Sequence, residues 1–63
     1  MKTSDITNEL KSGTQFGNEA ANWYTINRPQ ENFFMLVLND KNYFFHSITK
    51  YAKRIARLMK TGH

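Results

Sequence analysis

The sequence predicts an α+β fold: a short N-terminal helix, a three-stranded antiparallel β-meander, and a C-terminal amphipathic basic helix packed on the sheet. Three observations predict it. Between Trp23 and His46 lie three runs rich in aromatic and β-branched residues, separated by turn-forming residues. Beyond Ser47 the apolar spacing changes to a helical period. With 63 residues the chain has room for one small domain, residues 1–63.

The first helix is expected over Thr3 to Lys11. Thr3 or Ser4 can cap it, Asp5 suits the positive end of its dipole, and Gly13 is a natural stop. Ile6 and Leu10 are its apolar anchors, enough to dock it on a neighbour but not to hold it alone. Gly13, Gly17 and Asn18 then argue for a loop, in which Glu19-Ala20-Ala21 can add one helical turn. Phe16 is the side chain expected to pin this stretch to the core.

Trp23 to Asn27 has strand composition. Arg28-Pro29-Gln30-Glu31-Asn32 reads as a turn with Pro29 at its second position. Phe33 to Leu38 is apolar on both alternating sets, the pattern of a central strand covered on both faces. Asn39-Asp40-Lys41-Asn42 is a hairpin signal, and Tyr43 to His46 forms the return strand. The favoured closure is a three-residue loop that pairs Leu38 with Phe44 and Leu36 with His46, because Asp-Lys suits a type I′ turn poorly. A two-residue loop would shift the register by one and exchange the faces of the return strand.

Ser47 or Thr49 caps the last helix, which is expected to run to about Lys60, with Gly62 beyond its end. At 100° steps Ile48, Tyr51, Ala52, Ile55, Leu58 and Met59 share one face. Lys50, Lys53, Arg54, Arg57 and Lys60 fall within about 120° on the opposite side. This helix covers one face of the sheet, and the weak first helix covers part of the other. Nine aromatics exceed what that layout hides, so a homodimer or a dedicated protein partner is expected.

Composition narrows the function. Cysteine is absent, which excludes disulfides and thiolate metal sites, and two histidines do not build a structural zinc site. No cofactor and no metal are expected. The longest apolar run has six residues, far short of the ~20 that span a bilayer, so no membrane association is expected. Met1 to Asp5 lacks a secretory hydrophobic region, which makes a cytoplasmic protein the default expectation.

Charge placement is the most informative signal. Residues 1–46 carry Lys2, Lys11, Arg28 and Lys41 against Asp5, Glu9, Glu19, Glu31 and Asp40. Residues 47–63 carry five cations and no acid. A surface helix usually mixes signs in i, i+4 pairs, and a merely solvated face would do the same. A one-sign stripe two to three turns long suits a phosphate backbone, or else an acidic protein surface. Arg28 and Lys41, at the hairpin turns, can extend such a footprint.

Other constellations are weaker. Tyr24, Arg28, Tyr43 and Phe45 could stack bases, but strand aromatics usually build cores. His46 could serve as a general base or a ligand, yet no paired acid is evident, and neighbouring Ser47 would point to the opposite face in a strand. His63 is terminal. There is no glycine-rich phosphate loop and no nucleophile elbow, so catalysis is not expected.

The opening Met1-Lys2-Thr3-Ser4-Asp5-Ile6…Leu10-Lys11-Ser12-Gly13, with the basic tilt and the helix–sheet–helix order, resembles small HicA-type RNA-cleaving toxins. Those carry an early glycine-serine-histidine motif that this chain lacks. A three-stranded meander followed by a helix also resembles, in layout, small DNA-binding domains of some phage integrases, and layout does not fix function. The expected function is therefore that of a small basic nucleic-acid-binding or regulatory protein. The alternative is a protein-interaction module, such as an inhibitor encoded by a phage or mobile element that docks on a larger host protein.

Overall fold

The computed structural model describes residues 2–61, without the side chain of Thr61. The expected stop at Gly62 and the terminal His63 lie outside the described residues. Two helices and four strands follow in the order α1 (Thr3–Lys11), β1 (Gly17–Asn18), β2 (Trp23–Arg28), β3 (Phe33–Leu38), β4 (Lys41–Phe45) and α2 (Ile48–Thr61). The strands form one antiparallel meander, β1-β2-β3-β4. The three expected strands are present, and a two-residue strand adds a fourth at the β2 edge.

Helix α1 has the expected bounds, but neither Thr3 nor Ser4 is its cap. Lys2 occupies the N-cap and provides no side-chain acceptor, and Thr3 and Ser4 are inside the helix. Its end follows expectation. Gly13 takes φ +88°, its N–H bonds the Leu10 carbonyl at 3.0 Å, and the Thr14 N–H bonds the Glu9 carbonyl at 3.0 Å. This pair of bonds is a Schellman closure, which requires a left-handed residue at Gly13.

The chain then runs beside β2. The Phe16 carbonyl accepts from the Thr25 N–H at 2.8 Å, and the Phe16 N–H donates to Thr25 Oγ1 at 2.8 Å. One position further, the Gln15 side chain substitutes for a strand. Its Oε1 accepts from the Asn27 N–H at 3.0 Å, and its Nε2 donates to the Asn27 carbonyl at 2.9 Å. Glu19 to Asn22 makes a turn, closed by the Asn22 N–H on the Glu19 carbonyl at 3.0 Å, in place of the expected helical turn. Phe16 packs against the core, as expected.

Pro29 opens a short 3-10 turn over Pro29–Glu31, and Asn32 closes it at φ 52°. The second hairpin corrects the favoured register. Leu38 pairs with Lys41, Leu36 with Tyr43 and Phe34 with Phe45. Asn39 and Asp40, both at positive φ (50° and 64°), form the two central residues. The type I′ pair is Asn-Asp rather than Asp-Lys, and both types tolerate the left-handed region.

Both helices lie on the same side of the sheet, with α1 packed along α2. Ile6, Leu10, Trp23, Phe34, Leu36, Tyr51, Ala52 and Ile55 form the core between helices and sheet. Two expectations change as a result. Helix α1 covers none of the outer sheet face, because its two anchors reach the core beside α2. Helices therefore cover β3 on one face only, although Val37 on the other face is also buried. By register, Tyr24, Ile26 and Arg28 of β2, Phe33, Met35 and Val37 of β3, and Asn42 and Phe44 of β4 share the outer face.

Candidate nucleic-acid interface

Helix α2 follows β4 directly. Ser47 Oγ accepts from the Lys50 N–H at 3.4 Å, and the Ser47 carbonyl accepts from the Tyr51 N–H at 3.0 Å, so Ser47 rather than Thr49 caps the helix. Tyr51, Ala52 and Ile55 are completely buried, and Ile48, Ala56 and Leu58 are partly buried against the core. Met59, placed on the apolar face by its spacing, is 37% exposed near the open end of the helix.

Burial of one face fixes where the cations stand. Lys50, Lys53, Arg57 and Lys60 are exposed, and Arg54 is half-buried at the margin. Among the described residues, Lys50, Lys53, Arg54 and Lys60 have no carboxylate within ion-pair distance, and Arg57 is engaged within the chain. The start of α1 lies beside this face. Thr3 together with Lys53, Ala56, Arg57, Met59 and Lys60 borders an open groove of about 640 Å³. The uncapped positive end of the α1 dipole adds to the field of the lysines there, and exposed Asp5 in its first turn opposes it.

The two turn cations separate. Lys41 is exposed and shares the helix side of the sheet, since its partner Leu38 packs on the core. Arg28 belongs to the outer face, at the opposite end of the sheet, and its guanidinium lies 3.6 Å from the Glu31 carboxylate. The proposed stacking set is likewise divided. Tyr24 is 50% exposed on the outer face, whereas Tyr43 and Phe45 are on the helix side. Phe45 packs against Tyr51, with ring centroids 5.2 Å apart.

Beneath the helix is a polar cluster that sequence reasoning missed. Tyr51 donates its hydroxyl to the Met35 carbonyl at 2.7 Å. Thr25 and Asn27, at 4% and 3% exposure, face the same interior. Asn27 Nδ2 donates to the Thr14 carbonyl at 3.0 Å. Burial pushes the Tyr51 phenol above its ordinary value of 10.0, against a smaller opposite effect of hydrogen bonding with Thr25 and Asn27. The alternation of Thr25 and Asn27 with Tyr24, Ile26 and Arg28 was the available signal, but it put polar residues where a core was expected. The cluster is closed to solvent and braces the helix on the sheet.

His46 is exposed at the end of β4. No group of three metal-ligating side chains occurs among the described residues, and no described helix is long and apolar enough to cross a membrane. Compared with models of known families, with characterised proteins and with solved structures, the chain matches none.

Proposed function

We propose that the chain is a small nucleic-acid-binding protein that acts by binding, not catalysis, through the exposed basic face of α2. One observation carries this reading. Lys50, Lys53, Arg57 and Lys60 stand together on the solvent side of a helix whose other side is locked into the core. Arg54 flanks them, and the groove at the α1 start offers a concave seat for a phosphate. Phosphate contacts position a protein without reading sequence, so binding is expected to be weakly sequence-selective. Lys41 extends the footprint on the same side of the sheet, and Arg28 stands outside it.

Fluorescence anisotropy with labelled single- and double-stranded oligonucleotides tests the proposal. Replacing Lys50, Lys53, Arg57 and Lys60 together by Gln should weaken binding by about 100-fold or more at low salt, with the circular dichroism spectrum retained. Equal affinity of this variant and the parent chain would refute the proposal.

A second reading, an interaction module docking on a larger protein, is favoured by the bare apolar sheet face. It predicts a nuclease-resistant complex with one protein and indifference to free nucleic acid.

A further inference from the structure

The outer sheet face is the largest feature that the basic helix does not explain. Tyr24, Ile26, Phe33, Met35 and Phe44 form an apolar surface across β2, β3 and β4, around a Val37 that is itself buried. Phe44 projects most, at 61% exposure, and its ring meets Phe33 edge-on with centroids 6.1 Å apart. Beside it, Ile26, Arg28, Glu31, Phe33 and Met35 line a shallow hollow of about 400 Å³. A knob on β4 and a hollow over β2 and β3 therefore share one surface.

We infer that this face is the interface of a homodimer, in which a two-fold axis runs along β3 and Phe44 of each copy seats over Ile26 in the hollow of the other. The register dictates the match. Ile26, Met35 and Phe44 form one cross-strand row. Rotation about an axis along β3 lays β4 of one copy over β2 of the other, with Met35 against its own counterpart. An interface of this symmetry needs a surface complementary to itself, which a knob and a hollow on either side of one axis provide.

Charge selects a second copy over a charged partner. Arg28 and Glu31 at the rim pair with each other at 3.6 Å, leaving the face without net charge. The basic helices lie on the far side of each sheet. Stacking two copies sheet to sheet puts two sheet layers and two helix layers between the basic faces and holds them far apart. With sheets packed about 10 Å apart, that separation is about 30 Å, several times the Debye length of about 8 Å at physiological salt. Pairing through the β4 edge instead would put Lys41 on the contact, a residue type that blunts such edges.

Three strands of this length present about 400–600 Å² per copy, placing the interface near the ~1,000 Å² total at which specific association begins. The dimer is thus expected to be dynamic, and its axis sends two basic helices outward in opposite directions, which allows one dimer to bridge two nucleic-acid segments.

Sedimentation equilibrium of nuclease-treated protein tests this without reference to nucleic-acid binding, so the two proposals fail separately. Between about 5 and 500 μM the chain should pass from monomer to dimer. Phe44→Asp should raise the dimer Kd by about tenfold or more, and Lys53→Glu should leave it unchanged. The chain has no cysteine, so Met35→Cys provides a single thiol on the axis. A short bismaleimide should link two such copies, but not two copies of Lys53→Cys, which keeps the test independent of whether Phe44→Asp folds. A chain that stays monomeric throughout, a Met35→Cys thiol that does not cross-link, or a monomer that instead forms a one-to-one complex with another protein through this face would overturn the inference.

Discussion

Gln15 and Tyr51 show how single side chains complete what the short elements leave open. Strand β1 ends before it can serve all of β2, and the Gln15 amide takes over by pairing with both backbone groups of Asn27. Gln15→Ala should destabilise the protein by about 1–3 kcal/mol, because those backbone groups lose their partners, and urea unfolding would measure it. Tyr51 contributes a bond to Met35 in addition to its packing. Tyr51→Phe should cost about 0.5–1.5 kcal/mol at neutral pH. Its pH signature is separate. The folded state raises the phenol above 10.0, so it favours the protonated form. That contribution is complete below pH 10 and is lost as the unfolded chain ionises and pH rises toward the folded value. The stability of the parent chain should therefore fall above pH 10, and Tyr51→Phe should remove this part of the decline.

Among the elements, the second hairpin is the most informative. Its strands were legible in the aromatic runs, but its register was not. Asn39, Asp40 and Asn42 all tolerate left-handed backbone, so local chemistry allowed more than one loop. Apolar side chains on both faces of β3 removed the alternation that would have decided between them. Asp40→Gly should stabilise the hairpin by a few tenths to about 1 kcal/mol, since φ 64° suits glycine better, while Asp40→Val should lower Tm. The course of helix α2 and its basic face followed from 3.6-residue spacing, whereas its cap was legible only as Ser47 or Thr49. The Gly13 stop was legible from the residue type, and Gly13→Ala should cost about 1 kcal/mol because of its φ of +88°, although the space around it is open. The side on which α1 docks was not legible. Ile6 and Leu10 define an apolar edge, but two anchors do not say whether it meets the outer sheet face or α2. The strand β1 was hidden for a simpler reason: two residues, Gly17 and Asn18, carry no strand signal, and Gly17 is there because a Cβ would come within 3.0 Å of Tyr24 Cβ.

At the scale of the whole molecule, two surfaces divide the chemistry. One side presents cations held outward by a buried helix face, and the other presents an apolar sheet without net charge. A net charge of +4 that is spread evenly would say little, but here the helix alone carries five cations. If these meet phosphates, association releases the counterions they displace, and affinity must depend on salt. Salt titration of binding to a short DNA duplex is the most direct measurement. Four phosphate contacts, or five if Arg57 gives up its contact within the chain, predict a slope of about −3.6 to −4.5 for log K against log salt concentration, reduced to near −1 when Lys50, Lys53, Arg57 and Lys60 are replaced by Gln. A slope near zero for the parent chain, or an unchanged slope in the variant, would contradict the account.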